Sequence, residues 1–217
     1  MVIKWLAQAC IIIKQLTATL VIDPYGEDIG FKMPKLEALV VSVSHDHFDH
    51  NNTKAILGSP FIVREPGEYE VSGFSLYAIP SFHDTLQGKE RGSNLVMKVY
   101  TKEFSLAHFG DFGQSELSSL QIQALGEVDI AFIPVGGFYT ISGSEAAHII
   151  NQLEPKVAVP IHYSIPGLTV KELGGPEEFF GEMGQKPILI EGDWKVKASD
   201  LPSEGTRIIQ LQPQAKQ

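Results

Sequence analysis

The sequence predicts a mixed α/β protein in which sheets are covered by helices. Short β-branched runs separated by turn residues occupy the first half of the chain, a pattern typical of strands. The second half alternates helical patterns with the near-continuous apolar runs Asp129–Val135 and Val157–Ile161, which are typical of strands buried on both faces. Strands first and strand-helix-strand units afterwards indicate the α/β (α+β) class.

The predicted strands of the first half follow one another closely. They are Val2–Leu6, Cys10–Ile13, Thr19–Ile22 and Leu39–Ser44, followed by a strand-rich stretch from Tyr69 to Ile79. Asp23-Pro24-Tyr25-Gly26 supplies turn chemistry after the third strand, and Pro66-Gly67 breaks the chain before the later stretch. This half of the chain is therefore expected to be almost entirely sheet.

The helices are predicted in the second half. Ser115 can cap a first helix that Gly126 closes. A second helix begins at Ser142 and Glu145, which have capping-box spacing, and Pro155 ends it. Its apolar face has the spacing of a helix that packs on a core, with Ala146, Ile149, Ile150 and Leu153 at i, i+3, i+4 and i+7.

The signal weakens after residue 170. A helix is predicted at Glu177–Met183, and strands at Ile188–Ile190 and Arg207–Leu211. With 217 residues and 43% apolar content the chain can fill the core of one large domain, and no linker divides it. We therefore expect a single domain over 1–217, of which 211–217 form a disordered tail.

Composition excludes several classes of function. The 17 basic and 26 acidic residues leave a net charge of −9 without any basic cluster, which argues against a long nucleic acid as partner. The apolar stretch Trp5–Ile13 is too short to span a membrane. Cys10 is the single cysteine, so it forms no intrachain disulfide or thiolate cluster, and we expect a buried thiol in a cytoplasmic protein.

Metal-competent side chains stand at the ends of four apolar strands. Val40–Ser44 leads into His45, Leu76–Phe82 into His83, Phe104–Ala107 into His108 and Asp111, and Val157–Ile161 into His162. Ligands collect at the carboxyl ends of strands, because the loops there project side chains into one crevice. These residues are therefore expected to share a site.

The segment after the first of these strands carries the densest group of donors. His45 and His47 are two residues apart, so an extended backbone points both imidazoles to one side, and Asp49 and His50 follow as the chain turns toward a helix start at Asn51. One segment can thus supply two adjacent metals. Imidazole and carboxylate together suit zinc, manganese or iron.

A histidine-rich loop can also be an ordinary solvated turn, and a lone histidine at a strand end is more often packed or exposed than a ligand. Three histidines and an aspartate within six residues, joined by His83, Asp111 and His162 at like positions, favour the metal site. His148 faces away from the apolar side of its helix, so it is expected to be exposed and without a role.

The pattern resembles the five motifs of the metallo-β-lactamase superfamily. The resemblance rests on His45-x-His47-x-Asp49-His50 with Asp23-Pro24 upstream, His83, Gly110-Asp111 and Pro160-Ile161-His162-Tyr163, over about residues 1 to 170. It implies a four-layer αββα sandwich of two mixed sheets flanked by helices. It also implies that His45, His47 and His83 hold one metal, that Asp49, His50 and His162 hold the second, and that Asp111 bridges them.

Ile133-Pro134-Val135-Gly136-Gly137 and the helix after it resemble, more narrowly, a bacterial branch of Zn-dependent hydrolases related to ascorbate-6-phosphate lactonase and N-acylphosphatidylethanolamine phospholipase D. The N-terminal strand departs from that branch. Relatives often have Gly-His-Ala or Gly-His-Ser where this chain has Ala7-Gln8-Ala9. The departure predicts a missing contact beside the site and no lost ligand.

These features predict a dinuclear metal-dependent hydrolase, with two zinc ions as the leading choice and manganese or iron as alternatives. A metal-bridging hydroxide would attack a small anionic ester or lactone, with Asp49 and Asp111 as the catalytic residues. A phosphodiesterase acting on a lipid or nucleotide is the second enzymatic interpretation, and a non-catalytic metal-binding sensor domain is the competing class. A homo-oligomer is left open.

The substrate side of the site is predicted from one loop and one strand end. Gln87–Asn94 is rich in glycine and carries Arg91, whose guanidinium suits an anionic group, although a plain solvated loop is the equal alternative. His108 lies three residues before Asp111 and could support a metal ligand or contact substrate, with a structural role as the alternative.

Overall fold

A computed structural model describes residues 1–216. Its strands, in chain order, are β1 (Val2–Trp5), β2 (Ile11–Gln15), β3 (Ala18–Ile22), β4 (Leu36–Glu37), β5 (Val40–Ser42), β6 (Ile56–Leu57), β7 (Phe61–Val63), β8 (Gly67–Val71), β9 (Phe74–Phe82), β10 (Ser93–Tyr100), β11 (Ser105–His108), β12 (Ile130–Pro134), β13 (Val157–Ile161), β14 (Ile188–Ile190), β15 (Trp194–Lys195) and β16 (Arg207–Leu211). The α-helices are α1 (Ser119–Leu125), α2 (Gly143–Leu153) and α3 (Glu177–Glu182).

The strands form two large mixed sheets. The six-stranded sheet has the order β15-β1-β2-β3-β5-β7, and the eight-stranded sheet has the order β14-β16-β13-β12-β11-β10-β9-β8. In the second sheet the strands from β8 to β11 pair antiparallel, and those from β11 to β14 pair parallel. A single apolar core runs through both sheets. The predicted class, with two mixed sheets, is confirmed.

The helices are distributed unevenly between the sheets. α1 contacts β9 and α2 contacts β12, and both of these strands belong to the eight-stranded sheet. In the described part of the chain, the connections between β3, β5 and β7 of the other sheet contain no α-helix. They hold the short 3-10 helices Glu27–Ile29 and Thr53–Ala55 and the strands β4 and β6, which pair with each other. The helix expected from Asn51 is therefore a single tight turn.

Local sequence signals predicted both ends of β13, β14 and β16 and the start of α2. α2 begins at the predicted capping box, where the Ser142 hydroxyl accepts from the Glu145 backbone N–H. α1 starts later than predicted, because Ser118 and not Ser115 is its cap, in a capping box with Gln121. Ser118 is the cap because the side-chain oxygen of Gln121, three residues on, accepts a hydrogen bond from the Ser118 backbone N–H.

The chain end differs from the predicted disordered tail. Leu211 ends β16, and the backbone N–H groups of Gln214 and Ala215 donate to the Trp5 and Leu6 carbonyls. The polar composition suggested disorder, but these backbone bonds tie the segment to the end of β1. Residue 217 of the predicted tail lies outside the described residues. Within residues 1–216, none of the helices has the length and apolar character that a membrane crossing requires.

Candidate metal centre

The predicted site residues come together between the two sheets. The ends of β5, β9, β11 and β13 deliver them, as the strand-end pattern predicted, with β5 from one sheet and the other three strands from the other. The backbone N–H of Leu95 donates to the Ser44 carbonyl at 2.9 Å and joins the sheets beside the site. The donors fall into two groups of candidate ligands, His45, His47 and His83, and Asp49, His50, Asp111 and His162.

The first group consists of three imidazoles. Nε2 of His45 lies 2.9 Å from Nδ1 of His47, and each residue of the group offers an atom within 4.8 Å of the others. His45 and His83 are buried, whereas His47 is exposed and opens the group to solvent. The Ser44 hydroxyl, 2.9 Å from Nδ1 of His45, orients that ring so that Nε2 faces its partners.

The second group adds two carboxylates. Oδ2 of Asp49 lies 3.6 Å from Nε2 of His50, and Oδ1 of Asp111 lies 3.3 Å from Nε2 of His162. All four residues are buried. The arrangement collects two carboxylates and two imidazoles in one buried place.

Asp111 belongs to the second group but also faces the first. Its Oδ2 is 3.2 Å from Nε2 of His83, and its Oδ1 is 3.1 Å from Nε2 of His50. Gly110 makes this position accessible, since its φ of +56° is left-handed and a Cβ there would come within 2.5 Å of the Asn94 amide oxygen. Asn94 also accepts from the Asp111 backbone N–H at 3.0 Å, which holds the backbone independently of the carboxylate.

Burial and neighbouring charges perturb the protonation of these groups. Burial, with the nearby His50, lowers the pKa of His45 to about 2, which leaves its imidazole neutral with a lone pair to share. Burial acts to lower the pKa of His50, but the Asp111 and Asp49 carboxylates outweigh it and raise that pKa well above its usual value. Burial alone would raise the pKa of Asp111, but His162 and His50 hold it well below its usual range.

Asp23 supports the site by holding two neighbouring residues, Ser44 and His50. The sequence indicated it only as a turn residue and as part of the motif, but its buried carboxylate accepts from the Ser44 backbone N–H and hydroxyl, both at 2.7 Å. It also lies 3.0 Å from Nδ1 of His50, so it orients the ring whose Nε2 faces Asp111. Burial acts to raise the pKa of Asp23, but the charge of His50 prevails and lowers it.

His108 is not available for substrate contact. It is 1% exposed, its Nε2 donates to the Ala9 carbonyl at 2.7 Å, and its Nδ1 accepts from the Gly110 backbone N–H at 3.1 Å. Both ring nitrogens contact the backbone, which leaves neither free for a substrate and favours the structural role. His148 is exposed, as predicted, and Cys10 is buried, with burial raising the pKa of its thiol.

Gln8 corrects the expectation of a missing contact beside the site. Its amide nitrogen lies 3.0 Å from Oδ2 of Asp49 and 2.8 Å from Nε2 of His162. A glutamine therefore reaches the second group from the loop between β1 and β2. The sequence showed the departure from relatives but not its geometry, because loop and site are brought together by the pairing of distant segments.

The loop after β9 forms one wall of the cleft. Asp84, which the sequence analysis did not single out, accepts from the backbone N–H groups of Leu86, Gly88, Glu90 and Arg91 at 2.8, 2.8, 3.0 and 2.8 Å. Burial acts to raise the pKa of Asp84, but these four donors outweigh it and lower the pKa to about 2. One carboxylate thus organises the loop that carries Arg91.

Arg91 lies at the mouth of the site. A cleft of about 360 Å³ is lined by His47, Phe48, Asp49, His83, Arg91, Asp111, Tyr139, His162 and Val170. Nη1 of Arg91 also donates to the Phe138 and Tyr139 carbonyls at 2.7 and 2.8 Å. Arg91 therefore faces the cleft and also links the loop after β9 to the segment that contains Phe138 and Tyr139.

Comparison with known proteins identifies similar sequences. A family model described as a β-lactamase superfamily domain matches residues 2–162. A UPF0173 protein of Pyrococcus furiosus is 27% identical over 213 residues, which cover 88% of this chain and 94% of the relative. A UPF0173 metal-dependent hydrolase of Pyrococcus abyssi is 28% identical over 186 residues, with 82% and 78% covered.

A solved structure resembles the whole chain. It is a protein of Thermotoga maritima proposed to be a Zn-dependent hydrolase of the metallo-β-lactamase superfamily. The two structures align with a TM-score of 0.79 and 27% sequence identity, over 97% of this chain and 99% of the other. The similarity thus extends beyond the motif-bearing segments to the complete fold.

Proposed function

The chain belongs to the metallo-β-lactamase superfamily, and on that premise we propose that it is a metal-dependent hydrolase that cleaves a small anionic ester or lactone at a pair of divalent cations. The position of Asp111 carries the proposal of a pair, since its two oxygens face different groups of candidate ligands. The descriptions of the relatives as metal-dependent or Zn-dependent hydrolases support the reaction class.

The side chains fit two cations. In this proposal His45, His47 and His83 would hold one cation, Asp49, His50 and His162 would hold the other, and Asp111, whose oxygens face both groups, would be shared between them. Nε2 of His50 and Oδ1 of Asp111 are buried and face each other at 3.1 Å, and neither atom makes a further contact to the protein that meets hydrogen-bond geometry within the described residues. Both atoms therefore have lone pairs that a cation placed between them could use.

Zinc is the ion that we propose for this centre. Imidazole and carboxylate donors without a thiolate suit zinc, with manganese and iron as alternatives. Divalent cations in such a centre lower the pKa of water toward neutrality and polarise the oxygen of the bond under attack. Asp49 and Asp111 offset only part of the charge of two cations, so the cleft attracts an anionic substrate.

The protein's own groups position the reactants. Asp49 and Asp111, as the proposed catalytic residues, would determine where the attacking water is activated. The contact of Asp23 with the His50 ring and the contact of Ser44 with the His45 ring keep these two rings from turning. Arg91 is proposed to bind the anionic group of the substrate, because it lines the same cleft as Asp49 and Asp111.

A phosphodiester with an apolar portion is the second candidate substrate. Phe48, which lines the cleft, is 59% exposed, and Phe138, whose carbonyl binds Arg91, is 61% exposed. Exposed aromatic rings beside a cleft suit an acyl or lipid chain. The same centre can attack a carbon or a phosphorus ester, so a substrate panel separates the two candidates.

Metal content and chelator-sensitive turnover test the proposal. Protein reconstituted with zinc should contain two ions per chain by elemental analysis, because seven ligand residues exceed what one tetrahedral ion uses. A panel of lactones, carboxylic esters and phosphodiesters should include a substrate whose turnover stops when a chelator removes the ions and returns when zinc is restored.

Two results would count against different parts of the proposal. One ion or fewer per chain after reconstitution with zinc, manganese or iron would remove the paired centre. Two tightly bound ions with no chelator-sensitive turnover across the panel would instead favour the non-catalytic metal-binding domain.

Substituting Arg91 with alanine tests its proposed contact with substrate. The KM for an anionic substrate should rise about tenfold or more, the value of a charge-assisted hydrogen bond, and the KM for a neutral analogue should rise less. The comparison matters because the substitution also frees the Phe138 and Tyr139 carbonyls. Equal increases for both substrates would mean that Arg91 only ties the walls of the cleft together.

A further inference from the structure

Gln8 is held rigidly beside the candidate metal centre. It is 1% exposed, and its backbone has the left-handed φ of 53°. Its carbonyl accepts from the Trp5 indole N–H at 2.8 Å and from the His162 backbone N–H at 3.0 Å. A non-glycine residue in this conformation costs about 1–3 kcal/mol and persists only where its surroundings impose it. The loop therefore presents this side chain in one place.

The amide end of Gln8 contacts only part of the centre. Its nitrogen is 3.0 Å from Oδ2 of Asp49 and 2.8 Å from Nε2 of His162, both of which belong to the second group of candidate ligands. Its oxygen is buried and has no hydrogen-bond partner in residues 1–216. The amide whose nitrogen contacts these two ligand atoms therefore also carries a buried oxygen that no protein group in the described residues uses.

Binding of a cation to the second group would change the charge beside the Gln8 amide. A cation that takes the lone pairs of Asp49 Oδ2 and His162 Nε2 competes with the amide N–H groups, which carry positive partial charge toward the same two atoms. A half-turn of the planar amide exchanges its nitrogen and oxygen in nearly the same volume. The oxygen, and not the nitrogen, then faces the positive charge.

We propose that the side-chain oxygen of Gln8 is an additional, neutral ligand of the cation held by the second group. This inference rests on the two-cation centre of the proposed function. An added amide oxygen raises the number of oxygen donors without adding charge. Because four tetrahedral donors satisfy zinc, the added donor strengthens the binding of manganese, the alternative ion of the proposed function, more than that of zinc at this one position. Gln8 thus tunes which ion this position accepts.

Calorimetric titration of the metal-free protein with Mn²⁺, and separately with Zn²⁺, tests the proposal. Substituting Gln8 with leucine should weaken the second Mn²⁺ binding step about ten- to a hundredfold, the usual range for a lost contact at a metal site, and should weaken the Zn²⁺ step less. Gln8→Glu should retain or strengthen Mn²⁺ binding, since it keeps an oxygen in place. Gln15→Leu is the matched control and should change neither titration. The side-chain amide of Gln15, in β2, donates to the Gly73 carbonyl.

The variants separate a ligand from a hydrogen-bond donor. If the Gln8 amide served only to donate to Asp49, Gln8→Glu would weaken Mn²⁺ binding as much as Gln8→Leu, because a second carboxylate repels the first. That result, or unchanged Mn²⁺ binding by Gln8→Leu, would overturn the proposal. Thermal unfolding of the metal-free variants checks that each is folded, and Gln8→Glu alone still decides the question if Gln8→Leu is not.

The wild-type titration reports on the proposed function separately. Two equivalents of bound ion support the paired centre whatever the Gln8 variants do. A single equivalent overturns the paired centre, and the Gln8 proposal then falls as well if Gln8→Leu binds that ion as tightly as the wild type.

Discussion

Asp111→Asn should lower turnover about a hundredfold or more, the scale expected when a reacting group loses its position. The substitution keeps the size of the side chain but removes the charge that lies between the two groups of candidate ligands. Repulsion between two cations then increases, and one ion should dissociate before the other. Elemental analysis along a chelator series, with kcat measured at each point, follows both effects.

The backbone at residue 111 should survive this change. Its N–H is held by the Asn94 side chain, so the variant is expected to fold and to lose function through charge alone. His148→Ala is the matched control, because it removes an exposed imidazole from α2. Two retained ions and normal turnover in Asp111→Asn, as in the control, would show that Asp111 is not the bridging residue.

Asp23→Ala should destabilise the protein by about 3–5 kcal/mol, the range for breaking one side of a buried ionic contact. The substitution leaves the backbone N–H and hydroxyl of Ser44 and Nδ1 of His50 without their common acceptor. Because the His50 ring then loses its orientation, metal affinity should also fall about ten- to a hundredfold. Chemical denaturation and a metal-competition titration measure the two effects.

Asp193→Ala provides the comparison for this loss of stability. Asp193 also pairs with a cationic side chain, Lys4, at 2.9 Å, but its side chain is 37% exposed. Exposed pairs contribute about 0–1 kcal/mol, so the control should unfold close to the wild type and bind metal normally. If Asp23→Ala were no less stable than Asp193→Ala, the buried contacts of Asp23 with Ser44 and His50 would not stabilise the fold.

Local patterns predicted the elements in which neighbouring residues decide the conformation. α2 begins at the expected capping box, and β13, β14 and β16 have the expected bounds, because capping spacing and short apolar runs act over a few residues. The start of α1 was placed wrongly at Ser115, although the capping box of Ser118 and Gln121 that sets it is also a local signal. The turn expected as a helix at Asn51 was wrong because a distant contact decides it. Asn52 there donates its side-chain amide to the Tyr25 carbonyl, a contact that no local pattern records.

The sequence by itself determined the class of the fold and the donors available for a metal, because strand periodicity and the residue types at strand ends can be read along the chain. Only the tertiary structure decided how those donors are supported. Gln8 meets Asp49 and His162 across 41 and 154 positions of sequence, and His108 meets the Ala9 carbonyl across 99. Such contacts depend on how the two sheets pack, and spacing along a single strand carries no information about the direction in which a distant loop presents its side chain.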